Sequence, residues 1–325
     1  MKLLVLPLLV AASSLCAQTT KTAATPSKEV VQYLAQVQQI IRKKALYADS
    51  IDWSRLRKEV GVKSQGLTTV ADCQPVLDHI MRTLRQAGDK HSFFLSTDKA
   101  TNWTSTSYAG QQAESRYLGE GIGYVKVPAF SSMNATAGQT FSEDIQRQIT
   151  ALQTQHPVTG WVLDLRHNTG GNMRPMIQGI QSLLGEGVYG YFIFPRSTFQ
   201  RQLPLYSWSG QKKQLPARAI PAEPKRIAVL IDSMTGSSGE MVAIALKGLG
   251  HVKFFGQPSA GYTTTNGTYQ LSDGAYLLLA TGYMADRNRH TYLPNIIPDV
   301  VVEQTAAEAP DKTIEAASSW LREGK

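Results

Sequence analysis

The stretch Ile231-Asp-Ser-Met-Thr-Gly-Ser-Ser-Gly-Glu240 leads an apolar strand into a turn of small residues and then into a helix. Ser237 at that junction faces the free N–H groups and the positive dipole end of the helix, a setting suited to stabilising an oxyanion. Its small neighbours leave room for a substrate carbonyl. The same residues also have a purely structural reading, because Ser237 followed three residues later by Glu240 is a helix capping box. The spacing Gly236-Ser237-Ser238-Gly239 also departs from the G-x-S-x-G elbow of lipase-type hydrolases. The serine alone does not define a site.

A second segment, Trp161-Val-Leu-Asp-Leu-Arg-His-Asn-Thr-Gly-Gly171, runs an apolar strand through Asp164 and Arg166 into a twin-glycine turn before a helix. Two glycines allow unusual backbone angles and open access to their N–H groups. Alone, such a turn signals tight packing; beside the serine segment it offers the second half of an oxyanion hole. The pair DLRHNTGG and TGSSGE resembles the two hallmark motifs of the tail-specific or C-terminal processing serine peptidases, which include the tricorn core proteases. The resemblance spans roughly residues 117 to 303 and ends at Pro298-Asp299-Val300-Val301, similar to the family's closing P-D-x-x-V. It implies an α/β fold with a crotonase/ClpP-like core and Ser237 as nucleophile. The oxyanion hole it implies uses the N–H of Ser238 and of Gly170 or Gly171.

The departures from that family pattern narrow it. Many members carry a lysine base in a G-K-G loop after the serine, but here the loop reads Gly256-Gln-Pro-Ser-Ala-Gly-Tyr262-Thr-Thr-Thr-Asn266, with Tyr262 where the lysine would stand. The other branch takes its base from a histidine in a D-x-H-S context, matched by Gly88-Asp-Lys-His-Ser92. His91 is the only one of six histidines in that context; His167 lies inside the glycine-turn motif and His79 on a helix. The glutamate that the tricorn branch places before the closing P-D is absent from Tyr292-Leu-Pro-Asn-Ile-Ile. The resemblance thus implies a Ser237–His91 dyad and points toward the lantibiotic-cleaving branch, with a helical N-terminal region, a cap hairpin and no PDZ domain. Orientation of His91 is open between Ser92, Asp89 and a main-chain carbonyl. Glu240 is assigned a capping role before a catalytic one, and Asp164 and Arg166 are expected to form structural pairs.

These residues need elements to position them. Val30, Val31, Leu34, Val37, Ile40 and Ile41 recur at helical spacing after Ser27. Asp52 can cap a short helix with Trp53, Leu56 and Val60, and a third helix is expected from Val70 to Gly88. From residue 117 strands and helices alternate. Strands are read at 121–127, 161–165, 226–231 and 276–281, with helices at 141–152, 173–184 and 238–249, which predicts an α/β core. Residues 195–224 break the rhythm and suit a projecting cap. The expected division is a helical domain over 27–100 and a protease core over 101–325.

At the N-terminus, Lys2 and the apolar run Leu3–Ala12 read as a signal peptide cleaved after Ala17, followed by a tether over 18–26. The run is too short to span a bilayer, so no stable membrane insertion is expected after cleavage. Leu15 before Cys16 argues against a lipid anchor. The exported protein then keeps only Cys73, which makes no disulfide and whose acidic neighbours Asp72 and Asp78 disfavour a thiolate. The net charge of +8, from 33 Lys and Arg against 25 Asp and Glu, lacks a basic run interleaved with aromatics, so nucleic acid is not an expected partner. No metal cluster or phosphate loop is legible, and no cofactor is expected. A peptide or protein substrate is the expected partner. A non-catalytic module binding peptides or hydrophobic ligands on the same fold is the alternative.

Overall fold

A computed structural model describes residues 24–104, 110–196, 202–206, 225–303 and 310–323. The expected signal peptide and most of the tether and cap lie outside them. Helix α1 (Lys28–Lys44) begins where Ser27 Oγ accepts the Val30 N–H at 3.2 Å, and buries Val30, Leu34, Val37 and Ile41 on one stripe. In α2 (Trp53–Lys63), Asp52 caps the N–H groups of Ser54 and Arg55. A 3-10 turn over Val70–Cys73 leads into α3 (Gln74–Gln86), which starts four residues later than expected because Pro75 favours a first-turn position. The chain continues through β1 (Phe93–Leu95) and α4 (Thr97–Thr104).

Beyond these come β2 (Glu114–Gly119), β3 (Ile122–Lys126), α5 (Ala135–Gln155), β4 (Gly160–Asp164), α6 (Met173–Gly179) and α7 (Gln181–Leu184). The single helix expected at 173–184 is broken at Ile180, just after Gly179. Next are β5 (Val188–Ile193), β6 (Gln202–Tyr206), β7 (Arg226–Ile231), α8 (Ser238–Leu246) and β8 (Val252–Gly256). The chain ends with β9 (Thr264–Gln270), β10 (Tyr276–Asp286), β11 (Val300–Val301) and α9 (Lys312–Arg322).

The expected α/β core is a sheet in the order β11-β8-β7-β4-β3-β2, parallel throughout except for β2. Its strands are apolar on both faces because helices cover both. Trp161 and Leu163 of β4, with Val229 and Ile231 of β7, pack against Ile145, Ile149, Met176 and Val242 of α5, α6 and α8. The alternate residues Val162, Ala228 and Leu230 face Ala317 and Leu321 of α9.

The sequence pattern had not disclosed a second sheet, antiparallel, in which β10 pairs with β1, β5 and β9, and β5 pairs with β6. The N-terminal helices bury their apolar faces against this sheet, sharing one core with Leu271, Ala275, Leu277 and Leu279. Of the expected cap, the described residues are 195–196 and those of β6. No described helix is long and apolar enough to cross a membrane.

Candidate active site

The loop between β7 and α8 is built by side-chain to backbone bonds. Asp232 Oδ1 accepts the N–H groups of Met234 and Thr235, and Thr235 Oγ1 donates to Leu165 O at 2.9 Å. Ser237 then takes φ 50°, a conformation that residues with a Cβ seldom adopt. Glu240 Oε2 secures it by accepting the Ser237 N–H at 2.9 Å. The expected capping role is therefore present, and it extends further. The fully buried carboxylate also accepts Ser259 Oγ–H at 2.5 Å and the N–H groups of Gly261 and Tyr262 at 2.7 Å each. Burial raises its pKa, and these donors work against the rise.

The glycine turn after β4 locks onto this loop through Asn168, which is fully buried. Its Nδ2 donates to Val127 O at 3.0 Å, its backbone oxygen accepts Gly236 N–H at 2.9 Å, and its Oδ1 accepts Gly170 N–H at 3.0 Å. Gly170, at φ 105°, lies so close to the serine that an added Cβ would stand 2.8 Å from both Ser237 Cβ and Ser238 N. Gly171, at φ 114°, would place a Cβ 2.1 Å from Phe130 O. Both positions therefore require glycine. They differ in what their N–H groups do. The Gly170 donor is already spent on Asn168, while the Gly171 N–H has no partner among the described residues. Ser238 Oγ donates to Gly171 O at 2.6 Å and joins the two turns. Of the two expected alternatives, Gly170 is thus excluded as a free donor by its bond to Asn168.

His91 arrives from the loop between α3 and β1. Its Nε2 lies 2.8 Å from Ser237 Oγ. Asp89 and Ser92, expected as possible partners of the ring, do not touch it. Asp89 Oδ1 instead accepts the N–H groups of His91 and Ser92 at 3.0 Å each, and its Oδ2 accepts Ser92 Oγ–H at 2.6 Å. Ser92 Oγ in turn accepts Ala280 N–H at 2.8 Å, pinning the loop to β10. The ring's other nitrogen, Nδ1, lies 2.8 Å from Thr264 Oγ1 at the start of β9. The Thr264 main chain also hydrogen-bonds the ring, so the expected main-chain acceptor comes from the same residue as the hydroxyl. Burial lowers the His91 pKa to about 4, against the upward pull of Asp89. Its imidazole is therefore neutral at pH 7, so Nε2 can accept a proton while Nδ1–H donates to the threonine hydroxyl.

Ser237, Ser238, Gly171, His91 and Thr264 all line one cleft of about 900 Å³. Phe93, Leu95, Trp103, Met133, Met173 and Phe192 give it apolar walls. Tyr262, in the place of the absent lysine, sets its ring 5.4 Å from the His91 ring. The remaining candidates lie elsewhere. His79 bonds Glu59 at 2.8 Å, and exposed His167 sits beside Asp232. Cys73 is buried, and burial together with Asp72 raises its thiol pKa. Arg166 forms the expected structural pair with Asp164 at 2.6 Å and a second with Asp311 at 2.8 Å. Among the described residues, no group of three or more His, Cys, Asp or Glu could hold a metal ion. Sequence reasoning missed Thr264 and Asn168. Both stand inside segments it had singled out, and the run Thr263-Thr264-Thr265 was the available signal for a hydroxyl at that point.

A parallel-sheet core with a serine on a strained strand-to-helix turn, hydrogen-bonded to a neutral histidine, has the parts of a serine peptidase. Residues 121–302 match peptidase family S41, and the chain belongs to that family. It is similar to the nisin-resistance protein of Lactococcus lactis subsp. lactis, 29% identical over 271 residues that cover 81% of this chain and 80% of that one. It is 26% identical to the carboxyl-terminal-processing protease of Synechocystis sp., over 62% of this chain and 42% of that protease. Among solved structures, a lipoprotein from Streptococcus agalactiae superposes with a TM-score of 0.75 at 27% identity, covering 92% of this chain and 98% of the other. The photosystem II D1 C-terminal processing protease shares the fold, with a TM-score of 0.58 at 16% identity over 89% of this chain and 96% of that one.

Proposed function

We propose that this protein is an exported serine endopeptidase that cuts extended peptides toward their C-terminal part, with Ser237 as nucleophile and His91 as base. The observation that carries the reading is the 2.8 Å approach of His91 Nε2 to Ser237 Oγ. His91 takes the serine proton as Oγ attacks the peptide carbonyl carbon, then returns it to the departing amine. The oxyanion is held by the N–H groups of Ser238 and Gly171. Water, deprotonated by the same imidazole, releases the acyl group and restores the serine. Thr264 acts as a positioning residue that fixes the ring tautomer, where many peptidases use a carboxylate. Export rests on the signal-like residues 2–17.

The relation to the nisin-resistance protein favours a lantibiotic as one substrate. The test uses purified mature protein beside Ser237→Ala and His91→Ala, each incubated with nisin and with an unstructured peptide ending in apolar residues. Mass spectrometry reads the products. Cleavage by the wild type alone is the expected result, and the preferred peptide separates a lantibiotic from a general envelope substrate. Reproducible binding without cleavage by the wild type would favour a binding module instead.

A further inference from the structure

Two side chains that take no part in the proposed proton transfer stand beside the base. The Tyr262 ring lies 5.4 Å from the His91 ring at a 50° tilt, and the Lys90 ammonium stands 5.3 Å from the centre of the Tyr262 ring. Both are seated by the fold. Glu240 Oε2 accepts the Tyr262 N–H at 2.7 Å, and the Tyr262 ring sits against the nucleophile turn, where a Cβ on Gly236 would stand 3.4 Å from its Cδ2. Lys90 Nζ donates to Ala260 O at 3.1 Å. Glycine at 261, at φ 80°, leaves the ammonium its place, since a Cβ there would come within 2.8 Å of Nζ.

We infer that Tyr262 and Lys90 are positioning residues for the base: the phenol ring keeps water off one side of the imidazole and the ammonium holds a positive charge beside it, so that His91 rests neutral. This rests on the dyad proposed above. Burial is the largest cause of the lowered His91 pKa and Lys90 adds to it, while Asp89 and the Thr264 hydrogen bond pull the other way. The other groups around the ring are committed. Asp89 spends both carboxylate oxygens on its own loop, Ser237 and Thr264 bond the two ring nitrogens, and Asn266 Nδ2 donates to His91 O at 3.1 Å. Glu240 is fully buried among its four donors. Arg85, Lys99 and Arg174 line the same cleft with the sign of Lys90. Tyr262, 37% exposed, and Lys90 are therefore the pair whose removal changes what the imidazole meets without undoing the bonds that hold it.

The test reads pH profiles of kcat/KM on an unstructured apolar peptide. Glu240 grips residue 262 by its main chain, so Tyr262→Ala keeps that bond. Its acid limb should move up by about one pH unit, and the ratio of rates at pH 5 and pH 8 should fall to about half the wild-type ratio. Lys90→Met should move the limb up by about half a pH unit. Tyr262→Phe and Lys90→Arg should return it to the wild-type position. An NMR titration of protein labelled with 15N-histidine, with the His91 signal assigned by its loss in His91→Gln, reads the same midpoints without substrate. An unmoved His91 midpoint in Tyr262→Ala overturns the inference even if the protein is a peptidase, and so does a rate that drops equally at every pH. Shifted His91 midpoints in a protein that cleaves nothing, or whose rate does not follow them, support it while overturning the proposed dyad.

Discussion

Thr264 stands where a carboxylate would orient the base in many serine peptidases, and a neutral hydroxyl makes a weaker claim on the ring. Thr264→Val removes one hydrogen bond while keeping shape, so kcat should fall about tenfold with KM little changed; Thr264→Ser should restore most of it. Ser237→Ala should lower turnover by roughly 10⁴-fold or more under the same steady-state assay. The buried imidazole also sets the acid limb. With a folded pKa of about 4, His91 stays neutral well below the usual histidine range, so on the proposed dyad kcat/KM should persist to pH 5 and decline toward pH 4. The same depression has a stability consequence. Between the unfolded value near 6.5 and the folded value, the unfolded chain binds the extra proton, so stability should fall with pH through that window. Urea titrations of wild type and His91→Gln at pH 7 and pH 5 measure it, and an equal loss in both would remove His91 as the cause. Ser237, the glycine pair and His91 were legible because each lies in a short contiguous signature. Thr264 was not, since its partner is 173 positions away and only the register of β9 decides which threonine faces inward. The choice between Gly170 and Gly171 likewise turns on one side chain, Asn168 Oδ1, that no spacing rule identifies.

The turns after β4 and β7 behave as one piece because Asn168 bonds to both, and Arg166 ties that piece to the cap of α9. Asn168→Ala leaves the Val127 carbonyl and the Gly170 N–H buried without partners, so a loss of about 2–4 kcal/mol is expected by chemical denaturation, together with lower kcat. Asp311 accepts from Arg166 and also caps Thr313 and Ile314, so Asp311→Ala should fray α9 and lower the melting temperature with a smaller effect on turnover. Circular dichroism melts beside the peptide assay separate the two outcomes. The parallel strands β3, β4 and β7 could be read from the sequence because burial on both faces makes them continuous apolar runs. Strand β9, Thr264–Gln270, could not, since its residues are polar and its partner β10 supplies the apolar surface. The break between α6 and α7 is likewise a tertiary effect, with Gly179 packed against Ile145 where a Cβ would stand 2.7 Å from Cδ1.

Strand β10 carries the molecule's two halves. Its first residues pair with β1, directly after the His91 loop, and its last pair with β5, while β9 with Thr264 runs along its length. Leu277 and Leu279 of this strand are fully buried in the same cluster as Val37, Ile80 and Leu84 of the N-terminal helices. Leu279→Ala should therefore cost about 2–5 kcal/mol and loosen the helices as well as the sheet. Hydrogen exchange should register the loss in α1 and α3, and protection unchanged there would mean that the helices stand alone. The shared core went unread because periodicity describes each helix by itself and is silent about which sheet it covers. The hydrogen bond that joins His91 to Ser237 spans 146 positions of chain, and the loop that carries His91 follows a helix packed on that sheet. A chain that has not completed this fold holds Ser237 and His91 apart. On the proposed dyad, peptidase activity should therefore appear only with the completed fold.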